Sequence, residues 1–260
     1  MKISIITPSF NHAEFIETTL QSVIRQDHAE VEHLVMDGGS KDGTVDILRR
    51  YPRIAWVSES DAGQSSAINK GFARATGDIV AWLNSDDYYE QNIFGGIARY
   101  FSEHPECNVL YGDISFVDRG GRLLHTITGD TIDYPRLIAC PDIVRQPSFF
   151  WRRKVIEEVG GVDERLHLVM DFDFLLRVGK RHRFHYINRN LSYYRYYQDN
   201  KSLSQARRQS LEIVKVYVKN GVGINRHNAR FLIGKFGRSF VLRPAKDCIR
   251  RVWRRSPESE

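Results

Sequence analysis

The chain has 260 residues, 42% of them hydrophobic and 27% charged, with a net charge of +6. This is globular composition, long enough for a full core, and no stretch reaches the roughly 18 to 20 uncharged apolar residues of a membrane-spanning helix. The three cysteines, Cys107, Cys140 and Cys248, are widely spaced and lack metal-site spacing, so they read as thiols of a reducing compartment.

In chain order, Lys2-Ile6 reads as a strand, which argues against a secretory leader there. Helix Ala13-Gln26 follows, then strand Val31-Met36, helix Thr44-Arg50, strand Ile54-Ser58, helix Ser65-Ala75 and strand Ile79-Leu83. Such alternation predicts an α/β fold, a parallel sheet sandwiched by helices. The polar clusters Ser9-Asn11, Asp37-Thr44, Glu59-Gln64 and Asn84-Asp87 each follow a strand, where ligands bind in such sheets. The next stretch is more β-like, with Val109-Tyr111, Ile114-Val117, Leu123-Ile127 and Ser148-Trp151 as strands and Arg119-Gly120-Gly121 as a turn. Helices are expected over Arg152-Val159, Met170-Lys180 and beyond Ser204, with a break at Gly221-Val222-Gly223 and a boundary at Pro244.

Asn84-Ser85-Asp86-Asp87 places two carboxylates at a strand end. Hard cations such as Mg²⁺ or Mn²⁺ take one or two carboxylates while phosphates complete the sphere. An isolated Asp-Asp pair reads first as a turn that caps a helix at Tyr88-Tyr89; the three neighbouring clusters shift the reading toward a metal. Asp37-Gly38-Gly39-Ser40-Lys41-Asp42-Gly43-Thr44 lacks the ending of a phosphate-binding loop. Asp37 is its better ligand candidate, since an exposed strand-end carboxylate can accept from a base or ribose, whereas Asp42 suits a helix cap.

Together with Thr7-Pro8-Ser9-Phe10-Asn11, Glu59-Ser60-Asp61-Ala62-Gly63 and Ala67-Ile68-Asn69-Lys70-Gly71, these segments resemble, in order and spacing, the inverting family 2 glycosyltransferases of the GT-A fold. The resemblance runs from about Ile3 to about Ser204. It implies a GT-A domain over 1–204, with a nucleotide-binding half (1–105) and an acceptor-binding half (106–204), and leaves a basic helical extension over 205–260. It implies that Thr7, Pro8 and Asn11 line the nucleotide pocket with Asp37 on the base. Asp61, Asn69 and Lys70 would face nucleotide or diphosphate, Lys70 reading equally as a solvated helix residue. Asp86 would meet ribose or metal-bound groups and Asp87 would ligate Mn²⁺ or Mg²⁺. Relatives often carry an acidic residue in place of Ser66.

Inverting transfer needs a base for the acceptor hydroxyl. Val169-Met170-Asp171-Phe172-Asp173 resembles the family segment that supplies it, which implies Asp171; helix capping is the competing role. Asp173 instead pairs with Arg177 at helical spacing. Gln146 either shapes the acceptor side or makes a strand-edge hydrogen bond. Relatives often have a histidine near the metal or diphosphate where this chain has Tyr197, so Arg195 and Tyr197 either substitute as donors or contribute less there.

Residues 201–260 hold 15 Lys or Arg and 4 Asp or Glu, a surplus of 11 that leaves the first 200 residues at −5. Leu211, Val214, Tyr217 and Val218 recur at helical spacing and read as packing residues. The basic and aromatic mixture from Arg230 to Arg255 suits an anionic membrane surface or a solvated face. The expected partners are a nucleoside-diphosphate sugar, a UDP-sugar favoured, and a glycan or lipid-linked acceptor. No nucleic acid is expected, because no recognition motif accompanies the charge. The expected location is cytoplasmic, either free or peripheral on the cytoplasmic face of the membrane. The rival classes are a sugar-phosphate nucleotidyltransferase and a non-catalytic binding or docking module.

Overall fold

The computed structural model describes residues 1–129, 131–144, 146–197, 205–223 and 228–234. The strands are β1 (Ile3–Ser9), β2 (Val31–Asp37), β3 (Ala55–Ser58), β4 (Ile79–Trp82) and β5 (Tyr88–Tyr89). β6 (Val109–Val117), β7 (Leu123–Ile127), β8 (Phe149–Arg152) and β9 (Phe184–Arg195) follow. The helices are α1 (Ile16–Ile24), α2 (Thr44–Arg49), α3 (Gln64–Arg74), α4 (Phe94–Glu103), α5 (Tyr134–Ala139), α6 (Arg153–Val159), α7 (Met170–Gly179) and α8 (Ala206–Lys219).

The nine strands of the described residues join one sheet in the order β3-β2-β1-β4-β8-β6-β9-β5, with β7 on β6. The first four are parallel, so their carboxyl ends share one edge. β8 then turns the sheet antiparallel against β4 and β6. Alternation along each strand divides the core. Ile3, Ile5, Ile79, Ala81, Leu110 and Phe150 face α4 and Val23 of α1, whereas Ile6, Val80, Trp82, Tyr111 and Trp151 face α3, α6 and α7. Helices therefore cover both faces, as the alternation predicted. On the second face Phe72, Trp82, Trp151 and Phe174 meet edge-to-face or tilted with centroids 5.2–6.2 Å apart.

Four expectations change. Val109 to Val117 is one strand, its register shifting around Asp113. Gly112 permits this, since a Cβ there would lie 2.6 Å from the Arg189 carbonyl oxygen. Tyr88–Tyr89 is a strand paired with β9. Helix α6 starts at Arg153, because Arg152 still pairs with Ile79 in the sheet. In α8, Tyr217 packs as expected and Val214 packs in part, but the other buried residues are Ile213 and Val216, at most 1% exposed, whereas Leu211 and Val218 are 56% and 75% exposed. The apolar stripe is turned by about one residue from the expected one.

α8 is built into the main core. Ile213, Val216 and Tyr217 share a cluster with Phe172, Phe174 and Trp151, and Leu232 joins them. A polar clamp reinforces this dock. Asp173, at 0% exposure, accepts from Arg177 Nε at 3.0 Å, Lys219 Nζ at 2.9 Å and Asn220 Nδ2 at 3.0 Å. The predicted break at Gly221 holds a left-handed φ of 65°. Pro244 and the basic stretch 235–260 lie outside the described residues. Among the described residues no helix is long and apolar enough to cross a membrane.

Candidate active site

Hydrogen bonds join the loops at the carboxyl ends of β1 to β4 into one surface. Gly38 N–H donates to the Ser9 carbonyl at 2.8 Å, Asn11 N–H to Ser40 Oγ at 2.7 Å, and Lys41 N–H to Asn11 Oδ1 at 2.9 Å. Asn11 reaches these partners with a left-handed φ of 52°, a conformation that Asn tolerates. Gly38 lies between the Phe10 ring and the Asp61 carboxylate; a Cβ there would sit 3.3 Å from both. Asp61 Oδ1 accepts from Gly63 N–H at 2.7 Å, and Gln64 Nε2 donates to Asn84 Oδ1 at 2.8 Å. The four predicted clusters thus meet.

Within them, Asp37 departs from its expected exposure. It is 2% exposed, and its oxygens accept from Gly39 N–H, Ser40 N–H, Ser40 Oγ and Ser58 Oγ at 2.5–3.1 Å. It shapes the loop from inside the protein. Thr7 and Pro8 are also buried in β1, and Thr7 Oγ1 lies 2.9 Å from His33 Nε2. Burial pushes the His33 imidazole down to about 3, which keeps it neutral. Asp42 accepts from Thr44 N–H and Oγ1 at the start of α2, and also from Ala13 N–H.

The acidic pair divides. Asp87 is 1% exposed; Oδ1 accepts the backbone N–H of Arg195 at 2.9 Å and Oδ2 faces Asn84 Nδ2 at 3.3 Å. Burial, and next the charge of Asp86, push its carboxyl well above the usual carboxylate range. Asp86 is half-buried, and Oδ2 accepts from the Tyr197 hydroxyl at 2.9 Å. The direct metal role expected of Asp87 therefore meets an enclosed side chain already bonded to the end of β9. Of the two carboxylates, that of Asp86 is the less buried.

Arg195 is 5% exposed and acts from below. Its Nε donates to the Asp86 carbonyl at 2.9 Å and its Nη1 to the Arg119 carbonyl at 2.6 Å. Its guanidinium lies 4.8 Å from the Phe15 ring centroid. Arg119 covers both Phe15 and Tyr197 at 5.6 Å and grips Glu14 with two contacts of 2.7 and 2.5 Å. That grip ties the turn between β6 and β7 to the loop after β1, and it holds the Glu14 carboxyl below the usual carboxylate range.

The other expected residues have these partners. Asn69 exchanges bonds of 2.9 Å with the Val162 backbone and Glu164, fastening α3 to the turn after α6. Lys70 pairs with Glu59 at 2.6 Å. Gln146 is buried and donates to the Trp82 carbonyl at 2.7 Å, the strand-edge alternative. Asp171 lies half-buried in the first turn of α7, and Oδ1 accepts from Phe172 N–H at 2.8 Å. It is not the capping residue, a position that Val169 occupies. Phe10, 59% exposed beside Gly38 and Asp61, had no assigned role from sequence; an aromatic directly after a fully buried strand was the available signal.

A divalent cation fits the donor set in a limited way. Among the described residues, no three His, Cys, Asp or Glu side chains gather around one point. A carboxylate such as that of Asp86 suits a cation that shares its sphere with substrate phosphates and water.

The comparisons agree with this architecture. The family model for glycosyl transferase family 2 matches residues 4–160. A PGL/p-HBAD biosynthesis glycosyltransferase of Mycobacterium bovis (strain BCG / Pasteur 1173P2) is 31% identical over 180 residues, covering 67% of this chain and 68% of the relative. The putative teichuronic acid biosynthesis glycosyltransferase TuaG of Bacillus subtilis (strain 168) is 40% identical over 95 residues, 35% of this chain and 38% of its own. The S. aureus TarS 1-349 structure in complex with UDP-GlcNAc superposes with a TM-score of 0.69 at 20% identity, over 93% of this chain and 73% of that one. The mannosyltransferase PcManGT from Pyrobaculum calidifontis, in complex with GDP-Man and Mn²⁺, gives 0.63 at 18%, over 92% and 69%. The chain belongs to glycosyl transferase family 2 and has the GT-A fold.

Proposed function

We propose that this glycosyltransferase moves a hexosyl or N-acetylhexosaminyl group, with inversion, from a nucleoside-diphosphate sugar to an acceptor hydroxyl. A UDP-sugar is the favoured donor, and the acceptor is a cell-surface glycan or lipid-linked intermediate. The observation that carries the reading is the hydrogen-bonded union of the loops after β1 to β4, with the Asp86 carboxylate at its edge. The TarS complex with UDP-GlcNAc and the PcManGT complex with GDP-Man and Mn²⁺ share the fold and support a nucleotide-sugar donor.

Phe10 offers its exposed ring to the nucleobase, while Asn11 and Asp61 face the ribose and diphosphate. Asp37 and Thr7 shape that pocket from within. Asp86 would hold Mn²⁺ or Mg²⁺, and the ion would supply charge neutralisation on the leaving diphosphate. Asp171 accepts the proton of the acceptor hydroxyl as the sugar carbon develops positive charge. Tyr197 and Arg195 fix Asp86, one by its carboxylate and the other by its backbone carbonyl. The reaction runs on the cytoplasmic side, with the basic charge beyond residue 204 favouring an anionic membrane.

The test is a panel of nucleotide sugars scored for Mn²⁺-dependent thermal stabilisation and for nucleoside-diphosphate release with acceptor. Stabilisation by one donor class and release of its diphosphate are expected. Pyrophosphate release from a nucleoside triphosphate and a sugar phosphate would overturn the reading, as would tight binding without turnover.

A further inference from the structure

Away from the strand-end loops, two clefts meet between α8 and the segment that leads into α7. One encloses 380 Å³ and is lined by Arg165, His167, Arg208, Leu211, Val214 and Lys215, with Glu212 at its base. The other encloses 270 Å³, shares His167 and Arg208, and continues to Gly63, Gln64 and Met170. The shared residues make them one trench. Its inner end abuts the proposed reaction centre, because Met170 precedes Asp171 and Gln64 is bonded to Asn84 in the loop of Asp86.

The outer end is cationic. Glu212, the carboxylate of the wall, is 4% exposed and already engaged. Its Oε2 accepts from His167 and Leu168 N–H at 3.1 and 2.8 Å, and its Oε1 lies 3.4 Å from Arg208 Nε. Arg165 is held by Asp163. The Arg208 side chain remains 54% exposed, and exposed Lys215 has no carboxylate partner among the described residues. Between these cations Leu211 presents apolar surface, 56% exposed. Apolar surface flanked by cations fits a sugar or polyol chain that carries negative groups: C–H faces lie on leucine while anions meet guanidinium and ammonium.

We infer that this trench binds an acceptor chain bearing phosphodiester or carboxylate groups. Arg208 and Lys215 engage the anions and direct the terminal hydroxyl toward Asp171. The inference rests on the glycosyl-transfer reading for the position of the reacting hydroxyl.

The test measures binding of tetragalacturonate, a glycerol-phosphate tetramer and neutral maltotetraose to the full chain by calorimetry. Wild type is expected to prefer the anionic probes about tenfold, and Arg208→Gln/Lys215→Gln to lose that preference, the scale of two partly exposed charge contacts. Lys215→Gln alone breaks no ion pair of the described residues, so it is expected to fold and to lose part of the preference. Arg250→Gln/Arg251→Gln removes equal charge from the basic stretch and is expected to keep it. The anionic probe bound more tightly identifies carboxylate or phosphodiester as the preferred group. Equal binding of charged and neutral probes overturns the inference, as does a loss confined to the Arg250/Arg251 variant. Loss of phosphatidylglycerol-vesicle binding in the trench variants, with oligosaccharide binding intact, marks the face as a lipid contact and also overturns it. Nucleotide-dependent thermal stabilisation of the same proteins separates the two readings. Its absence in wild type overturns the donor site, whereas its presence without anion preference overturns the trench alone.

Discussion

The Tyr197 hydroxyl donates to Asp86 Oδ2 at 2.9 Å, joining residues 111 apart in the chain at the mouth of the site. Tyr197→Phe would keep the ring contact with Phe15, at 5.3 Å, and remove this bond. A hydrogen bond to a charged group contributes about 1.5–3 kcal/mol. Steady-state kinetics should therefore show kcat/KM reduced by about tenfold or more, with Tm little changed. Unaltered kcat/KM would separate Tyr197 from the reaction.

The two members of the acidic pair should fail differently. Asp86→Asn is expected to keep Tm and abolish the Mn²⁺-dependent stabilisation by nucleotide. Asp87→Ala removes the acceptor of the Arg195 N–H and leaves a buried donor unmet, so it should cost about 1–3 kcal/mol of stability. Urea unfolding and nucleotide titration distinguish them. An Asp87→Ala protein of full stability that has lost metal-dependent binding would identify Asp87 as the ligand.

Asp171→Asn tests the base. Turnover should fall by about 10²- to 10⁴-fold, the usual contribution of a positioned proton acceptor, while nucleotide affinity stays near wild type. Retained turnover would return Asp171 to a helix-end role.

His33 gives a pH dependence of stability. Its folded value of about 3 lies below the ordinary value of 6.5, so the unfolded chain binds the extra proton first as pH falls. The neutral imidazole's contribution is complete above pH 6.5 and declines as pH falls toward 3, by up to about 1.4 kcal/mol per pH unit. Replacing it with His33→Gln should flatten the stability profile over that window in denaturant titrations. An unchanged slope would mean that His33 is protonated in the fold.

Gly71 marks the tightest contact of α3 with β1. A Cβ there would lie 2.3 Å from Ile6 Cγ2, so Gly71→Ala must displace a core residue. The expected loss is about 1–3 kcal/mol, readable as a lowered urea midpoint with unchanged slope.

The first four strands and α1 to α3 were legible because their apolar runs and turn residues agree with their tertiary role. β9 carried no such signal. Its segment Phe184–Arg195 is largely polar and aromatic with half-exposed positions, and only pairing with β6 and β5 makes it a strand. The strand-end clusters were also readable, since each follows a buried run. Which carboxylates remain open was not readable. The burial of Asp37 and Asp87 depends on partners far away, Ser58 for the first and Arg195 for the second. Asn69 shows the same limit: a helix-surface position in sequence, it meets the Val162 turn 93 residues on.

The clamp on Asp173 has a consequence for synthesis. Lys219 and Asn220, which meet that buried carboxylate, leave the ribosome more than forty residues after it, as do Val216 and Tyr217 of the core. Until they emerge, Asp173 has only Arg177 of its own helix as a partner, and Phe172 lacks its contact with Tyr217. Helix α7 therefore sets late, after the first four strands have long been available to fold, and its apolar face stays uncovered while the last part of the chain is made.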